Sequence, residues 1–281
     1  MVSASERRDA RPLGKTVLTG QGLAFAYEGG PDVVCGVDLT VATGEVICVL
    51  GPNGAGKSTL LRLLAGLAPP ATGEVRLGGA AIRSIRPRDR ARQIALVPQS
   101  LFALPSLTVG EFVGQGRYAH ARLFRGPSAA DRSAVLRALK DADLVDLEER
   151  PLDALSGGQR QRALVARAMA QEPGVVLVDE PTNSLDPRHQ IQVFQVIAGL
   201  GCEGRAAVVV THDLNLASQF ATRLILMDEG KIVADGSVHE VLRPEVLGPV
   251  YGSDLAFGSR RVDGWNEDRP YVIPWRSSPA P

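Results

Sequence analysis

The segment GPNGAGKST, residues 51–59, combines glycines, a lysine and two hydroxyls at a spacing that suits phosphate binding. Its glycines allow consecutive backbone N–H groups to point at phosphate oxygens, aided by the positive end of a helix dipole. Lys57 supplies a cation for the outer phosphates of a nucleotide, and Ser58 supplies a hydroxyl for Mg²⁺. The segment follows the apolar run EVICVL and opens a helical pattern, a context that predicts a nucleotide site rather than a chance glycine-rich turn. The predicted binding residues are Gly51, Pro52, Asn53, Gly54, Ala55, Gly56, Lys57, Ser58 and Thr59.

Two acidic residues end a second apolar run, VVLVDE. They place Asp179 and Glu180 where a buried strand leaves the core, the edge at which ligands bind in open α/β sheets. We assign Asp179 to Mg²⁺, directly or through a bound water, and Glu180 to polarising the attacking water. Such a pair often caps a helix instead. The phosphate loop upstream favours the catalytic interpretation.

Gln99 and His212 follow two further apolar runs, IALVPQ and AAVVVTHD, and should leave the sheet at the same edge. A histidine there could donate a hydrogen bond to the γ-phosphate while it orients the water and the base. An uncharged amide suits a replaceable contact to Mg²⁺ or water. Position alone leaves a purely structural role open for both side chains.

The elements that must position these residues follow from the hydrophobic pattern. The apolar runs that carry the chemistry are separated by helical patterns, which predicts an α/β protein with a parallel sheet and crossovers. The earlier runs VLTGQGLAFAY and VVCGVDLTV predict antiparallel strands. Residues from about 100 to 153 predict an inserted group of helices, one of which begins with a capping box from Ser128 to Asp131.

These patterns predict four regions. They are a flexible leader (1–15), a nucleotide-binding core with an antiparallel β subdomain (16–98 and 156–252), a helical subdomain (99–155) and a C-terminal tail (253–281). The last residues, from about 258, are rich in proline and arginine, and we expect them to lie over the surface.

Composition excludes several classes of protein. The 281 residues carry a formal net charge of zero, which gives no electrostatic argument for nucleic acid as a partner. Three widely spaced cysteines argue against a disulfide framework or a zinc site. The charged N-terminal segment does not resemble a secretory signal, and no run of 18 apolar residues predicts a membrane span.

One predicted helix begins in an unusual way. The stretch ALSGGQRQRALVAR, residues 154–167, places Gly157 and Gly158 in its first turn, where each glycine costs about 1 kcal/mol relative to alanine. It holds no nucleophile with a nearby base, no metal-ligand spacing and no redox pair.

From residue 17 to about 250, the order of these motifs resembles the ATPase subunits of ATP-binding cassette (ABC) transporters. Tyr27 stands at the position of the adenine-stacking aromatic residue, and GPNGAGKST is similar to Walker A. Gln99 matches the Q-loop, VVLVDE matches Walker B, and His212 matches the switch histidine. The segment NSLD, residues 183–186, is similar to the D-loop. The signature LSGGQ, which includes Ser156, Gly157, Gly158 and Gln159, is the most specific of these matches.

The resemblance implies a P-loop NTPase fold of the ABC ATPase type, a mixed sheet with an antiparallel β subdomain and a helical insertion, and ATP and Mg²⁺ as ligands. It also implies that the backbone N–H groups of Gly157 and Gly158, with the Ser156 hydroxyl, form a second anion site at the start of their helix. Two chains are expected to pair head to tail, so that each ATP lies between Walker A of one chain and LSGGQ of the other. In a single chain, Ser156 and Gly158 would then face empty solvent. Asp186 would couple the two sites. Since the chain carries one copy of each motif, one chain alone cannot complete a site.

The resemblance also implies partners at a membrane. Two separate transmembrane permease subunits would dock on the helical subdomain near SLTVGEFVGQGRYAH, where Glu111 and Arg117 lie. The chain would sit peripherally on the cytoplasmic face of the inner (plasma) membrane. A periplasmic or lipoprotein substrate-binding protein would act with it indirectly.

The finer resemblance is to importers of iron chelates (siderophores or haem) and cobalamin, on the segments TVGEFVGQGRYAH, NSLDPRHQ and HDLNLASQFATRLILMDEGKIVADG. Pro187 departs from the aliphatic residue common in that group. Importers of metal ions, oxyanions or other small solutes share most of these motifs and remain an alternative. Soluble ABC ATPases that act on ribosomes or DNA are disfavoured because the chain has neither two cassettes nor a long coiled coil. A nucleotide switch without turnover is disfavoured because Glu180 and His212 are present.

Overall fold

A computed structural model describes residues 14–101, 105–121, 126–182, 185–261 and 267–275. The predicted leader lies outside the described residues except for its last two positions, as do Asn183 and Ser184 of the predicted D-loop. Among the described residues, no helix is both long enough and apolar enough to cross a membrane.

In the described residues, three strands precede the first α-helix, and helices and strands are then interspersed along the chain. The strands are β1 (Thr16–Ala26), β2 (Asp32–Ala42), β3 (Val46–Leu50), β4 (Thr72–Leu77), β5 (Ala80–Ala81), β6 (Ile94–Val97), β7 (Val175–Asp179), β8 (Ala206–Val210), β9 (Arg223–Asp228), β10 (Lys231–Gly236), β11 (Leu255–Arg260) and β12 (Arg269–Pro274). The helices are α1 (Lys57–Leu64), α2 (Pro87–Ala91), α3 (Val109–Gly114), α4 (Ala129–Asp141), α5 (Gly157–Ala170), α6 (Pro187–Cys202), α7 (Leu214–Phe220), α8 (Val238–Val241) and α9 (Pro244–Tyr251).

The main sheet has the strand order β10-β9-β3-β8-β7-β6. All neighbours in it are parallel except β10, which forms an antiparallel hairpin with β9 around Glu229 and Gly230, both at positive φ. β3 and β8 are buried along their whole length, which is why they read as continuous apolar runs rather than alternating ones. The prediction of a parallel sheet with crossovers is confirmed.

A second, antiparallel sheet has the order β2-β1-β4-β5. Its inner face and one face of the main sheet enclose α1 in a single hydrophobic cluster, in which Leu60, Leu61 and Leu64 are buried. The opposite face of the main sheet packs against α5, α6 and α7 in a second cluster. The main sheet therefore lies between α1 and the antiparallel sheet on one side and α5, α6 and α7 on the other.

Helices α3 and α4, which lie within the predicted helical subdomain (99–155), pack against each other and against α5, which follows it. α4 begins with the predicted capping box, in which Ser128 and Asp131 each bond the other's backbone N–H. α3 begins with another, from Thr108 to Glu111.

The Arg117 side chain is largely buried, whereas its place in the predicted docking segment led us to expect an exposed side chain. Its side chain is 11% exposed, its Nε donates to Asp131 at 2.9 Å, and its Nη1 donates to Glu172 and to the Ala170 carbonyl, each at 2.8 Å. Its chain position matched the docking segment, but the charged partners that bury it come from two distant helix ends. Arg117 therefore ties α4 to the end of α5.

The C-terminal segment contains a β-hairpin that the sequence pattern did not predict. β11 and β12 form an antiparallel hairpin, and β12 packs on α7 with Val272 buried. Prolines at two positions of RPYVIP obscure the strand pattern, because they remove backbone donors. They are compatible with a strand here because β12 pairs with only one neighbouring strand, β11.

Candidate functional site

The phosphate loop connects β3 to α1 and is shaped by a glycine. Gly56 is the residue before α1 and has φ = 91°. A Cβ at this position would lie 2.3 Å from the Val33 carbonyl oxygen on β2, a distance that no packed atom tolerates. The loop therefore approaches β2 so closely that only glycine fits.

Lys57 closes the loop on itself. Its Nζ donates to the carbonyls of Gly51 and Pro52, each at 2.8 Å. Burial lowers the pKa of Lys57, while the negative charges of Glu180 and Asp179 act to raise it. The ammonium group is thus held inside the loop, with two carboxylates nearby.

Ser58 and Asp179 bring hard oxygen ligands together at the loop. The Ser58 hydroxyl donates to Asp179 Oδ1 at 2.9 Å, which joins the start of α1 to the end of β7. Burial raises the pKa of Asp179, and the Ser58 hydrogen bond opposes that shift. A hydroxyl and a carboxylate in contact at a phosphate loop fit the oxygen preference of Mg²⁺.

The side chains of Gln99 and His212 contact the carboxylate of Glu180. Glu180 lies directly after β7 with φ = 45°, and its backbone N–H donates to the Val210 carbonyl at the end of β8. Gln99 Nε2 donates to Glu180 Oε2 at 2.7 Å, and His212 Nε2 pairs with Glu180 Oε1. The structure therefore brings together the three side chains that the sequence assigns to catalysis.

Tyr27 lies at the rim of the loop and is 46% exposed. Its hydroxyl is 3.2 Å from Thr59 Oγ1 and accepts a hydrogen bond from Arg62 Nη1 at 3.2 Å. Phe25 meets its ring edge to face at 5.0 Å. Sequence reasoning missed Arg62, although it lies on α1 one turn after Ser58 and could have been found by helical spacing.

The entrance of α5 forms a separate group of residues. Ser156 Oγ accepts the Gln159 N–H at 3.2 Å, and Gln159 Oε1 accepts the Ser156 N–H at 2.9 Å, a reciprocal capping box. Both hydrogen bonds join Ser156 to Gln159, within the first turn of α5. Ser156 and Gly157 are exposed, whereas Leu185 partly covers Gly158. The expectation that Gly158 faces open solvent is therefore wrong.

Asp186 is the N-cap residue of α6. It accepts the His189 N–H at 3.0 Å and contacts His189 Nδ1 at 2.6 Å. The His189 backbone hydrogen bond, followed by the His189 side chain, lowers the pKa of Asp186. In the single chain this residue acts as a helix cap.

Comparisons with known proteins agree with this geometry. Residues 34–183 match the family described as ABC transporter. The ferric enterobactin transport ATP-binding protein FepC of Escherichia coli (strain K12) is 40% identical, over 94% of this chain and 96% of that protein. The hemin import ATP-binding protein HmuV of Rhodopseudomonas palustris (strain HaA2) is 38% identical, over 92% and 97%.

Solved structures show the same fold. An ABC transporter in an inward-facing conformation has a TM-score of 0.79 at 27% identity and covers 94% of this chain and 99% of that one. The dimeric bacterial ABC transporter cassette MJ0796 has a TM-score of 0.72 at 30% identity and covers 79% and 98%. The family match spans more than half of the sequence and agrees with the fold and the order of motifs, so this chain belongs to the ABC transporter family.

Proposed function

We propose that the chain is the ATP-hydrolysing subunit of an ABC importer that takes up an iron chelate, either a siderophore or haem, or cobalamin. The observation that carries the ATPase assignment is the convergence of Gln99 and His212 on Glu180, beside the Ser58–Asp179 contact. The relatives named above, which transport ferric enterobactin and hemin, support the substrate class.

The phosphate loop would bind ATP by exchanging its internal contacts for phosphate. Lys57 leaves the Gly51 and Pro52 carbonyls for the outer phosphates, and Tyr27 stacks on the adenine. Ser58, Asp179 and Gln99 would hold Mg²⁺, with Asp179 acting through a water. Mg²⁺, when bound, would neutralise charge on the phosphates.

Glu180 would act as the base that polarises the attacking water. His212 and Gln99 hold one carboxylate oxygen each, which fixes the direction of the carboxylate. His212 would also donate a hydrogen bond to the γ-phosphate. The exchange of these contacts on ATP binding would couple the nucleotide to Gln99 and to the helical subdomain that follows it.

A second copy of the chain would complete each ATP site. Ser156, Gly157, Gly158 and Gln159 of one protomer would face the ATP on the phosphate loop of the other, with Asp186 at the interface. The dimeric form of the similar cassette MJ0796 supports this arrangement. Two permease subunits and an external binding protein would complete the importer, and this chain would lie on the cytoplasmic face of the plasma membrane.

The direct test is Glu180→Gln, with Glu203→Gln as the control, since Glu203 is an exposed residue at the end of α6. We expect Glu180→Gln to bind ATP and accumulate as a dimer while hydrolysis falls roughly a hundredfold or more. The control should keep the wild-type rate. Wild-type hydrolysis by Glu180→Gln, or failure to dimerise with ATP, would contradict the assignment.

A test of the substrate class requires the permease subunits. ATP hydrolysis should rise when permease subunits in liposomes are supplied with a ferric siderophore, haem or cobalamin on the outer side. Stimulation by metal ions or oxyanions alone would favour the alternative importers. Pelleting with ribosomes or DNA instead of liposomes would indicate a non-transport ATPase.

A further inference from the structure

The C-terminal hairpin is fastened to α7 through an asparagine side chain. Asn215 Nδ2 donates to the Val272 carbonyl at 3.0 Å, and the Val272 N–H donates to Asn215 Oδ1 at 2.9 Å. The amide thus takes the place of a neighbouring strand for the free edge of β12. Farther along α7, the Ser218 hydroxyl donates to the Pro270 carbonyl.

Asn215, which holds the hairpin by these hydrogen bonds, lies three residues after His212. Asp213 Oδ1 accepts the N–H groups of Asn215 and Leu216 at 2.9 and 2.8 Å, and Thr211 Oγ1 accepts the Asp213 N–H at 3.1 Å. These bonds link the end of β8, the His212 loop and the first turn of α7 without an intervening flexible residue. A displacement of Asn215 is therefore transmitted to the histidine.

The C-terminal hairpin also lines a cavity next to Glu180 and His212. A cavity of about 470 Å³ is lined by Glu180 and His212 on one side and by Asn215, Val272 and Pro274 on the other. His212 is more exposed than Glu180, with side-chain exposures of 39% and 13%. Its direction therefore depends on the loop and helix that carry it more than on enclosure by neighbours.

We propose that the paired strands β11 and β12 of the C-terminal hairpin hold the His212 loop in the orientation needed for hydrolysis, and that Asn215 is the positioning residue. This inference rests on the proposed ATPase function. Asn215 acts through His212 and contributes no group to the reaction itself. A misplacement of His212 by about 1 Å reduces turnover while the phosphate loop, on another part of the sheet edge, still binds ATP.

The test uses the full chain with Asn215→Ala and Asn215→Asp, and Ser218→Ala as the matched control. The aspartate keeps the shape and the acceptor for Val272 N–H but loses the donor for Val272 O, so it serves if the alanine variant does not fold. Ser218→Ala removes a bond between the same helix and the same strand, one turn farther from His212. For each variant, kcat, the Kd for ATP and Tm are measured.

We expect kcat to fall roughly tenfold to a hundredfold in both Asn215 variants, with the Kd for ATP unchanged within about twofold. Ser218→Ala should lower Tm and keep kcat within about twofold of wild type. An unchanged kcat in the Asn215 variants, or an equal fall in Ser218→Ala at the same loss of Tm, would overturn the proposal. The proposed ATPase function is tested separately: it fails if the wild-type chain does not hydrolyse ATP, or if Glu180→Gln hydrolyses it at the wild-type rate.

Discussion

Two helices begin with glycines at predicted anion sites, yet their surroundings differ. At α1, Gly56 is buried under β2 with φ = 91°, and Lys57 fills the loop with its own hydrogen bonds. At α5, Gly157 is exposed, its φ is not positive, and no atom of the described residues lies within 4 Å of where its Cβ would be. The first glycine is required by this chain's own packing, and the second is not.

The two glycines are therefore needed for different reasons. At α1 the fold and the ligand site impose the same residue, so stability and binding should fail together. At α5 nothing in the described part of the single chain explains the helix-propensity cost of Gly157. We infer that its reason lies outside the chain, in the ATP of a second protomer.

The largest expected effect is that of Gly56→Ala. The new methyl group would meet the Val33 carbonyl, and the backbone would be strained as well, so we expect a loss of about 2–4 kcal/mol in the free energy of unfolding and no ATP binding. Gly54→Ala is the control for unfolding, since Gly54 has φ = 84° but no described atom within 4 Å. It should lose only about 1 kcal/mol. Equal losses at both positions would contradict the packing argument.

Gly157→Ala should separate stability from activity. We expect its free energy of unfolding to stay the same or rise by up to about 1 kcal/mol, because alanine favours the helix. ATP binding by the single chain should persist, while hydrolysis falls roughly tenfold or more because the methyl group would obstruct the partner's phosphate. Gly199→Ala in α6, equally free of described neighbours, should gain stability without losing hydrolysis. If Gly157→Ala hydrolyses ATP normally, the α5 entrance is not part of the site.

Ser156→Ala has a smaller effect on stability and sharpens the same distinction. Removing the cap of α5 should cost about 1 kcal/mol, as should Ser237→Ala in α8, which has the same kind of capping box. Denaturant unfolding should give similar losses for both variants, and only Ser156→Ala should also reduce hydrolysis. A parallel loss of activity in Ser237→Ala would show that the activity merely follows stability.

The sequence could predict the parts of the molecule whose residues are constrained by local chemistry. The order of apolar runs predicted the parallel sheet, and residues at strand ends predicted the meeting of Gln99, Glu180 and His212. These predictions depend on the geometry shared by all parallel sheets, in which the carboxyl ends of the strands lie at one edge.

The remaining features depend on contacts between distant segments, for which no local pattern exists. β12 was missed because its prolines hide a strand that obtains its second partner from the Asn215 side chain rather than from a backbone. We expected Arg117 to be exposed because the sequence does not show that Asp131 and Glu172 contact it in the folded chain. Both errors concern polar groups satisfied by residues far away in the sequence.

The capping box at the start of α4 gives the smallest expected effect. This box uses Asp131 where α5 uses Gln159, and hydrogen bonds from Ser128 and then from Arg117 lower the pKa of Asp131 to about 2. Because the pKa is lower in the folded state, this stabilisation is fully present above the ordinary aspartate value and is lost as pH falls toward 2. The stability advantage of wild type over Asp131→Asn, measured by unfolding, should therefore shrink between about pH 4 and 2. A pH-independent difference would mean that Asp131 acts through shape alone, as the uncharged Gln159 must at α5.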